Sequence, residues 1–481
     1  MPKEEERKYD VGSSFQLPDL SSLAAEVTLK PAKTLTATYY DTADLRLVRS
    51  GASLRFREGD DLPWTVKLPT DTPGVRHEIS RPGSAPGKPP QELVWLVAGL
   101  TRGAPLKKVA VVTSRRVGYD LRSAKGRVLA ELVDDHVTTA NGGFREIEVE
   151  RKAGSGRLLS TVEERLLAAG AVPASYPSKV AHALGEAALR APDAVNGHAG
   201  DGDAGDVVDR AIRAGVKRLL DHDPLVRLEE PLPNGDTAVH QMRVACRRLR
   251  SDLRTFSPLL REAWARPLRT ELGWLAEMLG AARDAEVLRA RLRGTADADP
   301  LAPMDTVAIE RIDGVLARRQ ADALRTLGES LRSGRYLALL DALVAATRQQ
   351  ARKKGSLHGL ANEPTQRLCA SLGKLEASGA DADWHHVRIL TKRARYAVEA
   401  QEGHRDPLAR AMADLQDLLG EHQDAAVAGT TWLSFGIEPA LSVTAGRLYE
   451  RERAAVRAAR AQLLTIAPQL LSKADALVQR T

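Results

Sequence analysis

The period of the hydrophobic pattern changes near residue 190, and this change constrains the fold more than any other feature. Before it, short runs such as TLTATYYDT, PWTVKLP and FREIEVERK are bounded by Gly, Pro, Asp or Asn, a pattern typical of β-strands joined by turns. After it, long stretches rich in Ala, Leu and Arg carry apolar residues at helical spacing. The sequence therefore predicts a β-domain followed by an all-α domain.

The strand-like runs of the first part follow one another at nearly regular spacing, which favours an antiparallel barrel or sandwich. One helical stretch, at about 157–169, follows the last of these runs. The segment APDAVNGHAGDGDAGD has much Gly, Ala and Asp and little apolar content, so we interpret it as a flexible linker. We predict a barrel domain over 1–188, the linker over 189–205 and a helical domain over 206–478.

The helical part contains an internal repeat. VHQMRVACRRLRSDL, from Val239, is matched by WHHVRILTKRARYAV, from Trp384. Each is followed by a second matching segment, LAEMLGAARDAEVL in the first case and LQDLLGEHQDAAVA in the second. Two matched pairs in the same order predict a duplicated helical unit of two bundles, at about 206–330 and 331–478.

The first helix of each repeat carries a row of cations. Basic residues recur at spacings of three and four on one face, opposite an apolar stripe: His240, Arg243, Arg247, Arg250 and Arg254, then His385, Arg388, Lys392 and Arg395. A solvated basic face is the ordinary interpretation of one such helix. Few acidic residues lie four positions away, however, and the pattern occurs twice. Such rows suit a linear polyanion, onto whose phosphate oxygens Arg can fork.

The overall charge supports a polyanionic partner without identifying it. The formal net charge is +7 and the isoelectric point is about 9.3, which would attract nucleic acid and phosphate polymers alike. Aromatic residues make up only 4% of the chain, too few for the stacking platforms that bind single strands, and a helix-turn-helix pattern is missing. We therefore expect no nucleic-acid partner.

The cysteine content favours a reducing compartment, and the hydropathy indicates no membrane-spanning segment. The two cysteines, Cys246 and Cys369, are too few for a disulfide framework or a cysteine zinc site. No run approaches the roughly 18 apolar residues of a membrane span, and the N-terminus has no apolar stretch typical of a secretory signal. We expect a cytoplasmic protein without a membrane partner.

The basic helices lead to a family resemblance. The pattern H-x-x-R-x-x-x-R/K-R-x-R, the LG..RD and LG..QD segments and the duplication together resemble the CHAD domain, an α-helical polyphosphate-binding module. The resemblance covers about Asp206 to the C-terminus. It implies that a basic channel for polyphosphate is lined by His240, Arg243, Arg247, Arg250, His385, Arg388, Lys392 and Arg395.

The CHAD resemblance also implies roles for two aspartates and for one of two adjacent histidines. Asp284 and Asp424 match conserved aspartates that orient the basic side chains. The second repeat has Gln423 where the first has an arginine. Of the adjacent histidines at 385 and 386, His385 keeps the three-residue spacing to Arg388 and is the one we assign to the channel.

The first part of the chain places rows of charge on single strand faces. Period-two alternation puts Glu4, Glu6 and Lys8 of KEEERKYDV on one face, and REIEVER repeats the device with Glu146, Glu148 and Glu150. An amphipathic strand with exposed salt bridges would explain any one such run. In a closed barrel, inward rows of both signs would be costly without ligands. Carboxylates suit Mg²⁺ or Mn²⁺, and Arg or Lys suits phosphate, so the combination favours a triphosphate with a metal.

The order of these motifs carries a second resemblance. EEERK, YYDTADLRLVRSGASLRFR, WTVKLP, RHE, AELVDD and EIEVERKAG, in that sequence, resemble the CYTH domain over about residues 2–185. CYTH domains belong to the triphosphate tunnel metalloenzymes, whose members hydrolyse or cyclise triphosphates inside an eight-stranded β-barrel. The resemblance therefore implies an antiparallel eight-stranded barrel with a catalytic tunnel.

The CYTH resemblance also implies roles for individual residues. Metal ligands would be Glu4, Glu6, Asp135, Glu148 and Glu150. Phosphate ligands would be Lys8, Arg55, Arg57, Lys67, Arg76, Arg115, Arg116 and Lys179, with Glu78 paired to Arg76. The catalytic set would be Lys8, Glu148 and Glu150. Two choices stay open, Arg115 or Arg116 and Asp134 or Asp135, because one residue of register reverses the face.

These patterns predict a Mg²⁺- or Mn²⁺-dependent hydrolase of a triphosphate, most simply inorganic tripolyphosphate, whose helical domain binds inorganic polyphosphate. One alternative is a polyphosphate-binding protein without turnover. Another is a nucleotide or thiamine triphosphatase, or an adenylate cyclase, because these share the phosphate-binding residues. Association with polyphosphate granules is a further expectation for a cytoplasmic protein of this kind, and the oligomeric state stays open.

Overall fold

The computed structural model describes residues 3–70, 72–83, 86–193, 204–229, 231–232, 235–301, 303–348, 356–357, 359–403 and 405–480. The chain divides into two compact units, the barrel unit (Met1–Asn196) and the helical unit (Gly197–Thr481). Most of the linker predicted at 189–205 lies outside the described residues, at 194–203. The predicted domain limits therefore remain a prediction.

Within the described residues, all the strands lie in the barrel unit, together with six short α-helices. The strands are β1 (Lys3–Val11), β2 (Glu26–Leu29), β3 (Lys33–Asp41), β4 (Ser53–Arg57), β5 (Trp64–Pro69), β6 (Val75–Arg81), β7 (Lys107–Arg122), β8 (Val128–Thr139), β9 (Gly142–Arg151) and β10 (Val172–Pro173). The helices are α1 (Arg46–Arg49), α2 (Gln91–Leu96), α3 (Ala98–Thr101), α4 (Gly156–Ala168), α5 (Lys179–Leu184) and α6 (Glu186–Leu189).

Eight of the strands close into a barrel. Their order around the ring is β1-β6-β5-β4-β3-β7-β8-β9, and β9 pairs with β1 to close it. Every pairing is antiparallel, and the short strands β10 and β2 add to β1 and β7. The predicted eight-stranded antiparallel barrel is confirmed.

The apolar core of this unit includes a layer outside the barrel wall. On β9, Ile147 and Val149 are fully buried and belong to a cluster with Leu159, Val162 and Leu166 of α4. Because side chains alternate along a strand, the intervening glutamates of β9 point to the opposite face, into the barrel. Burial of one face by α4 therefore directs the charged face inward.

The helical unit contains the remaining helices. They are α7 (Ala204–Leu228), α8 (Ala238–Thr255), α9 (Glu262–Asp297), α10 (Thr306–Arg332), α11 (Gly334–Ala346), α12 (Asn362–Leu372), α13 (Asp381–Glu402), α14 (Pro407–Phe435) and α15 (Ser442–Arg480). The helix pair α8–α9 carries the first copy of the repeated motif and α13–α14 carries the second. Among the described residues, no helix combines the length and apolar character needed to cross a membrane.

Helix α8 begins and packs as its sequence predicts. The Thr237 hydroxyl accepts a hydrogen bond from the backbone N–H of His240, a typical N-cap. The apolar stripe is buried: Met242, Cys246, Leu249, Leu253 and Phe256. Leu249 meets α7 at Gly215, where a Cβ would lie only 2.5 Å from Leu249 Cδ2. Glycine at 215 therefore allows the close approach of α7 and α8.

Leu249→Ala should remove the side chain that fills this contact. We expect the free energy of unfolding of the helical unit to fall by about 2–5 kcal/mol, because a cavity is left beside Gly215. Urea unfolding followed by far-UV circular dichroism measures the change. The control is Leu433→Ala, whose side chain is exposed and whose loss should change stability by under about 0.5 kcal/mol. Equal effects of the two variants would contradict this packing.

Candidate functional site

The interior of the barrel is a charged cavity of about 420 Å³. Among the described residues, ten basic and seven acidic side chains line it. The basic ones are Lys8, Lys30, Lys33, Arg55, Arg57, Lys67, Arg76, Arg116, Lys152 and Lys179, and the acidic ones are Glu4, Glu6, Asp60, Glu78, Glu131, Glu148 and Glu150. Such a wall cannot exclude water as an apolar core does, and it calls for charged ligands.

Strand register brings these distant residues together. Lys8 of β1 lies opposite Glu148 of β9, and Glu6 lies opposite Glu150. On the other side of β1, Glu4 lies opposite Arg76 of β6. Residues directly opposite in an antiparallel pair share one face of the sheet, so the alternating charges of β1 and β9 point into one cavity.

Glu148 is the most densely paired carboxylate of the cavity. Lys179 Nζ lies 2.8 Å from Glu148 Oε1, and Arg116 Nη2 donates to Glu148 Oε2 at 3.1 Å. Lys8 also forms an ion pair with Glu148. Two of these cations also contact Asp135, which accepts a hydrogen bond from Arg116 at 2.6 Å and lies 2.9 Å from Lys179 Nζ. Three cations thus converge on one glutamate.

These pairs shift the pKa values of the group. Burial raises the pKa of Glu148, but the cations of Lys179, Lys8 and Arg116 outweigh it and hold the value well below the usual range. Burial raises the pKa of Glu146, which is next to Glu148 on the same strand face and pairs with Lys179. Glu148 therefore stays ionised, whereas Glu146 takes up a proton more readily.

A second group of charges lies on β1, β4, β5 and β6. Lys67 forms an ion pair with Glu4, and its Nζ lies 3.5 Å from Glu78. Arg55 Nη2 lies 3.8 Å from the same glutamate. Burial raises the pKa of Glu78, but Lys67 and Arg55 lower it overall. Each cation of this group is again balanced by a carboxylate.

The carboxylates can be tested for their fit to a divalent cation. Asp135, Glu146 and Glu148 each place one oxygen within 4.8 Å of the others, and no other such set of three occurs in the part of the chain that the structure describes. Carboxylate oxygens are the hard ligands that Mg²⁺ and Mn²⁺ prefer, so this set fits. Of these three, Glu148 lines the cavity, while Asp135 and Glu146 are buried. Among the described residues, Glu4, Glu6 and Glu150 also line the cavity and form no comparable cluster.

The geometry distinguishes the two pairs of alternatives on β7 and β8. Arg116 lines the cavity, whereas Arg115 is exposed on the outer face. Asp135 points inward to Arg116, whereas Asp134 accepts from Arg145 Nε and Nη2 at 2.9 and 2.7 Å. The assignment of Arg115 to the tunnel is therefore corrected, because the period-two alternation of β7 turns it outward.

Several residues of the cavity were not among the sequence candidates. They are Lys30, Lys33, Tyr39, Asp60, Glu131 and Lys152. Lys152 extends the alternation of EIEVERK, so the pattern itself could have identified it; the same alternation placed Glu146 on the inward face, but no metal role was assigned to it. Lys30 precedes β3 and reaches Asp120 at 2.6 Å and Glu131 at 2.8 Å; no local pattern marks it.

The helical unit has a larger cavity, of about 1010 Å³, bounded by residues of α7, α8, α13 and α14. Five predicted channel residues line it: His240, Arg247, Arg388, Lys392 and Arg395. The other three, Arg243, Arg250 and His385, are not part of this lining. We name this cavity the basic groove.

Two of the side chains outside the lining have partners on neighbouring helices. Arg243 Nη1 donates to Asp284 at 2.7 Å, consistent with an orienting role for that aspartate. His385 Nδ1 lies 2.6 Å from Gln423 Oε1. Within the lining, Arg395 pairs with Glu399 of its own helix at 2.8 Å. Arg247, Arg388 and Lys392 therefore line the groove without an ion pair among the described residues.

Comparison with known proteins gives two domain matches and a full-length relative. A model of the CYTH domain matches residues 2–182, and a model of the CHAD domain matches residues 210–433. The chain is 34% identical to the uncharacterized protein Rv2226 of Mycobacterium tuberculosis, over 96% of this chain and 94% of the relative. The two resemblances inferred from the motifs are confirmed.

Two solved structures are also similar. PptA from Streptomyces chartreusis has 24% identity and a TM-score of 0.47, over 55% of this chain and 99% of its own. The CHAD domain from the plant Ricinus communis has 26% identity and a TM-score of 0.41, over 56% of this chain and 94% of its own.

Lys179→Met should leave Asp135, Glu146 and Glu148 without their shared ammonium group. We expect the metal-free protein at about pH 8 to lose about 3–5 kcal/mol of stability, because a buried charge loses its partner. The pKa values of the remaining carboxylates should rise in the folded state, so the folded protein binds protons that the unfolded chain does not. The loss should therefore shrink as the pH falls towards about 5.

Chemical denaturation in EDTA at both pH values measures this effect. Lys179→Arg is the matched control, because it keeps a cation at the start of α5. A loss in Lys179→Met that is the same at both pH values would mean that the carboxylates do not depend on Lys179.

Proposed function

We propose that the barrel hydrolyses a triphosphate and that the basic groove binds polyphosphate, because the chain belongs to the family of proteins that join a CYTH domain to a CHAD domain. CYTH enzymes act on triphosphates and depend on a metal, and CHAD domains are associated with polyphosphate binding. For this chain, inorganic tripolyphosphate is the simplest substrate.

The observation that carries this proposal is the mutual neutralisation of charges inside the barrel. Each cation around Glu148 is held by carboxylates that would otherwise be free to bind a metal. If a triphosphate and a divalent cation entered together, the triphosphate would pair with the basic side chains and the metal would pair with the carboxylates. The exchange replaces one set of ion pairs by another and leaves no buried charge unpaired.

The basic residues would position the substrate. Arg116 and Arg55 present planar guanidinium groups that can fork onto phosphate oxygens, and Lys8, Lys67 and Lys179 provide point charges. They project from different strands and from α5, so a chain of phosphates would be held from several sides. Phosphoryl transfer requires mainly this positioning and charge stabilisation.

The carboxylates would divide two tasks. Asp135, Glu146 and Glu148 would hold a divalent cation, with Glu4 and Glu6 as further ligands. When bound, Mg²⁺ or Mn²⁺ supplies neutralisation of phosphoryl oxygens and acidifies water. Burial raises the pKa of Glu150, despite its pairing with Lys152. A carboxylate with a raised pKa is the better proton acceptor from an attacking water, so Glu150 is our candidate base.

The lining of the cavity favours an inorganic substrate over a nucleotide or thiamine triphosphate. Among the described lining residues, Tyr39 is the one aromatic side chain, and it is 5% exposed. A base or thiazole ring would find little surface to stack on. Cyclase activity, which needs a positioned nucleoside, is the least favoured alternative for the same reason.

Glu148→Gln tests the catalytic role of the barrel. We expect phosphate release from tripolyphosphate, with Mg²⁺ or Mn²⁺, to fall by about 100-fold or more, because the neutral amide neither binds a divalent cation well nor balances the three cations around it. The matched control is Glu5→Gln on β1, whose side chain pairs with Arg151 at 2.5 Å and does not line the cavity. It should retain wild-type activity.

A panel of tripolyphosphate, long polyphosphate, ATP and thiamine triphosphate then ranks the substrates. If the wild-type protein released phosphate from none of them with either metal, hydrolysis would be abandoned. Tight polyphosphate binding without turnover would instead support the non-catalytic alternative.

The double variant Arg247→Ala with Arg388→Ala tests the basic groove. We expect its affinity for long polyphosphate to fall at least about tenfold for each arginine, since hydrogen bonds to charged groups contribute about 1.5–3 kcal/mol. Binding measured at low salt should also weaken as salt is added, because screening acts on exposed charge. The control is Arg311→Ala, an exposed arginine paired with Glu438. Equal affinities in both variants would show that the polyanion binds elsewhere.

A further inference from the structure

The basic groove contains one permanent and one titratable cation at equivalent positions of the repeat. Arg247 lies seven positions after His240, and Lys392 lies seven positions after His385. Both side chains line the same cavity, one from α8 and one from α13. The first repeat therefore supplies a guanidinium, which keeps its charge in proteins, where the second supplies an amine that can lose it.

Lys392 has mostly cations for neighbours. The charged groups that act on it are Arg243 and Arg247 from α8, Arg388 from its own helix and Asp424 from α14. The same cavity is lined from α7 by Arg210 and Arg218. Its lining also includes three carboxylates, Asp252 of α8 and Asp417 and Glu421 of α14. Asp252 pairs with Arg248, and Glu421 pairs with Arg291. In the part of the chain that the structure describes, no carboxylate oxygen lies within 4 Å of Lys392 Nζ.

The first carboxylate after Lys392 on its own helix lies seven residues further on and pairs with other side chains. Glu399 pairs with Arg395 at 2.8 Å and also with Arg248. Burial, and then the guanidinium groups of Arg388, Arg247 and Arg243, lower the pKa of Lys392 to about 6, with Asp424 opposing them only weakly. The same burial raises the pKa of Asp424.

We propose that Lys392 is neutral while the groove holds no polyanion and takes up a proton when polyphosphate binds. The proton and the polyanion are then bound together, and each increases the affinity for the other. This inference rests on the proposed binding of polyphosphate in the groove. It adds that protons from solution regulate that binding.

Lys392 would take up a proton because bound polyphosphate reverses the sign of the electrostatic field at its amine. Phosphate oxygens laid along Arg247 and Arg388 would neutralise the guanidinium groups that repel the ammonium form. They would also bring negative charge to the amine itself, which favours its charged form. An arginine at this position could not take up a proton on binding, because its guanidinium is charged already.

The direction of the pH dependence follows from this difference. Above about pH 6, the free protein has lost the Lys392 proton and the complex has regained it, so affinity should fall about tenfold for each unit of pH increase. Below that range Lys392 is charged in both states and contributes no pH dependence. His240 also lines the groove, and burial lowers its pKa below the usual 6.5, so its titration has to be separated from that of Lys392.

Isothermal titration of the full chain with long-chain polyphosphate tests the inference. Titrations in EDTA at about pH 8, in two buffers of different ionisation enthalpy, give the number of protons taken up on binding. The wild-type protein should take up about one proton more than Lys392→Arg, whose side chain is charged throughout. Lys392→Arg should bind about 100-fold more tightly than wild type at this pH and about equally at pH 6.

Two controls make the comparison specific. His240→Gln, introduced into both proteins, should leave the difference of about one proton unchanged. Circular dichroism checks that Lys392→Arg keeps the helical content of wild type. Any proton bound by the phosphate chain itself or by the barrel is common to both proteins and cancels.

The possible results distinguish a failure of this inference from a failure of the proposed function. Polyphosphate binding with equal proton uptake by wild type and Lys392→Arg would overturn this inference and leave the proposed function intact. If neither protein bound polyphosphate at either pH, the binding function of the groove and this inference would both be overturned.

Discussion

The need to neutralise buried charge organises the barrel unit. Three cations converge on Glu148, and each reaches it from a different element: β1, β7 and α5. Removing one partner of such a buried pair is far more costly than removing an exposed one. The inward face of the wall is therefore fixed by electrostatics, while its outward face, at Ile147 and Val149, is fixed by burial against α4. The two requirements agree because strand side chains alternate.

The two units handle cationic charge in opposite ways, and this difference suits different ligands. In the barrel, carboxylates pair with most of the lining cations, so the proposed triphosphate would enter together with a metal that takes the carboxylates. In the basic groove, Arg247 and Arg388 lack a close carboxylate among the described residues, so a polyanion can neutralise them without a metal. The proposed division into a metal-dependent catalytic site and a metal-independent binding site follows from these two charge balances.

Much of the fold and part of the site could be predicted from the sequence. Period-two alternation identified the inward faces of β1 and β9, and the duplicated motif identified α8 and α13. The limits were physical. A strand pattern cannot decide between Arg115 and Arg116, since both are charged and one residue of register separates them. Lys30 reaches the cavity from a segment between strands, so its position depends on tertiary structure rather than on any local period.

In the helical unit, too, the sequence pattern identifies a face but does not select the residues of that face that line the site. A row at spacings of three and four covers a broad helix face, so Arg243, Arg250 and His385 share the stripe without lining the groove. The middle positions, 247, 388 and 392, are the ones that meet across the repeat. Three permanent charges there would repel one another whenever no polyanion is bound. A lysine at 392 relieves this repulsion by releasing its proton, so the groove lowers its own charge without losing the capacity to restore it.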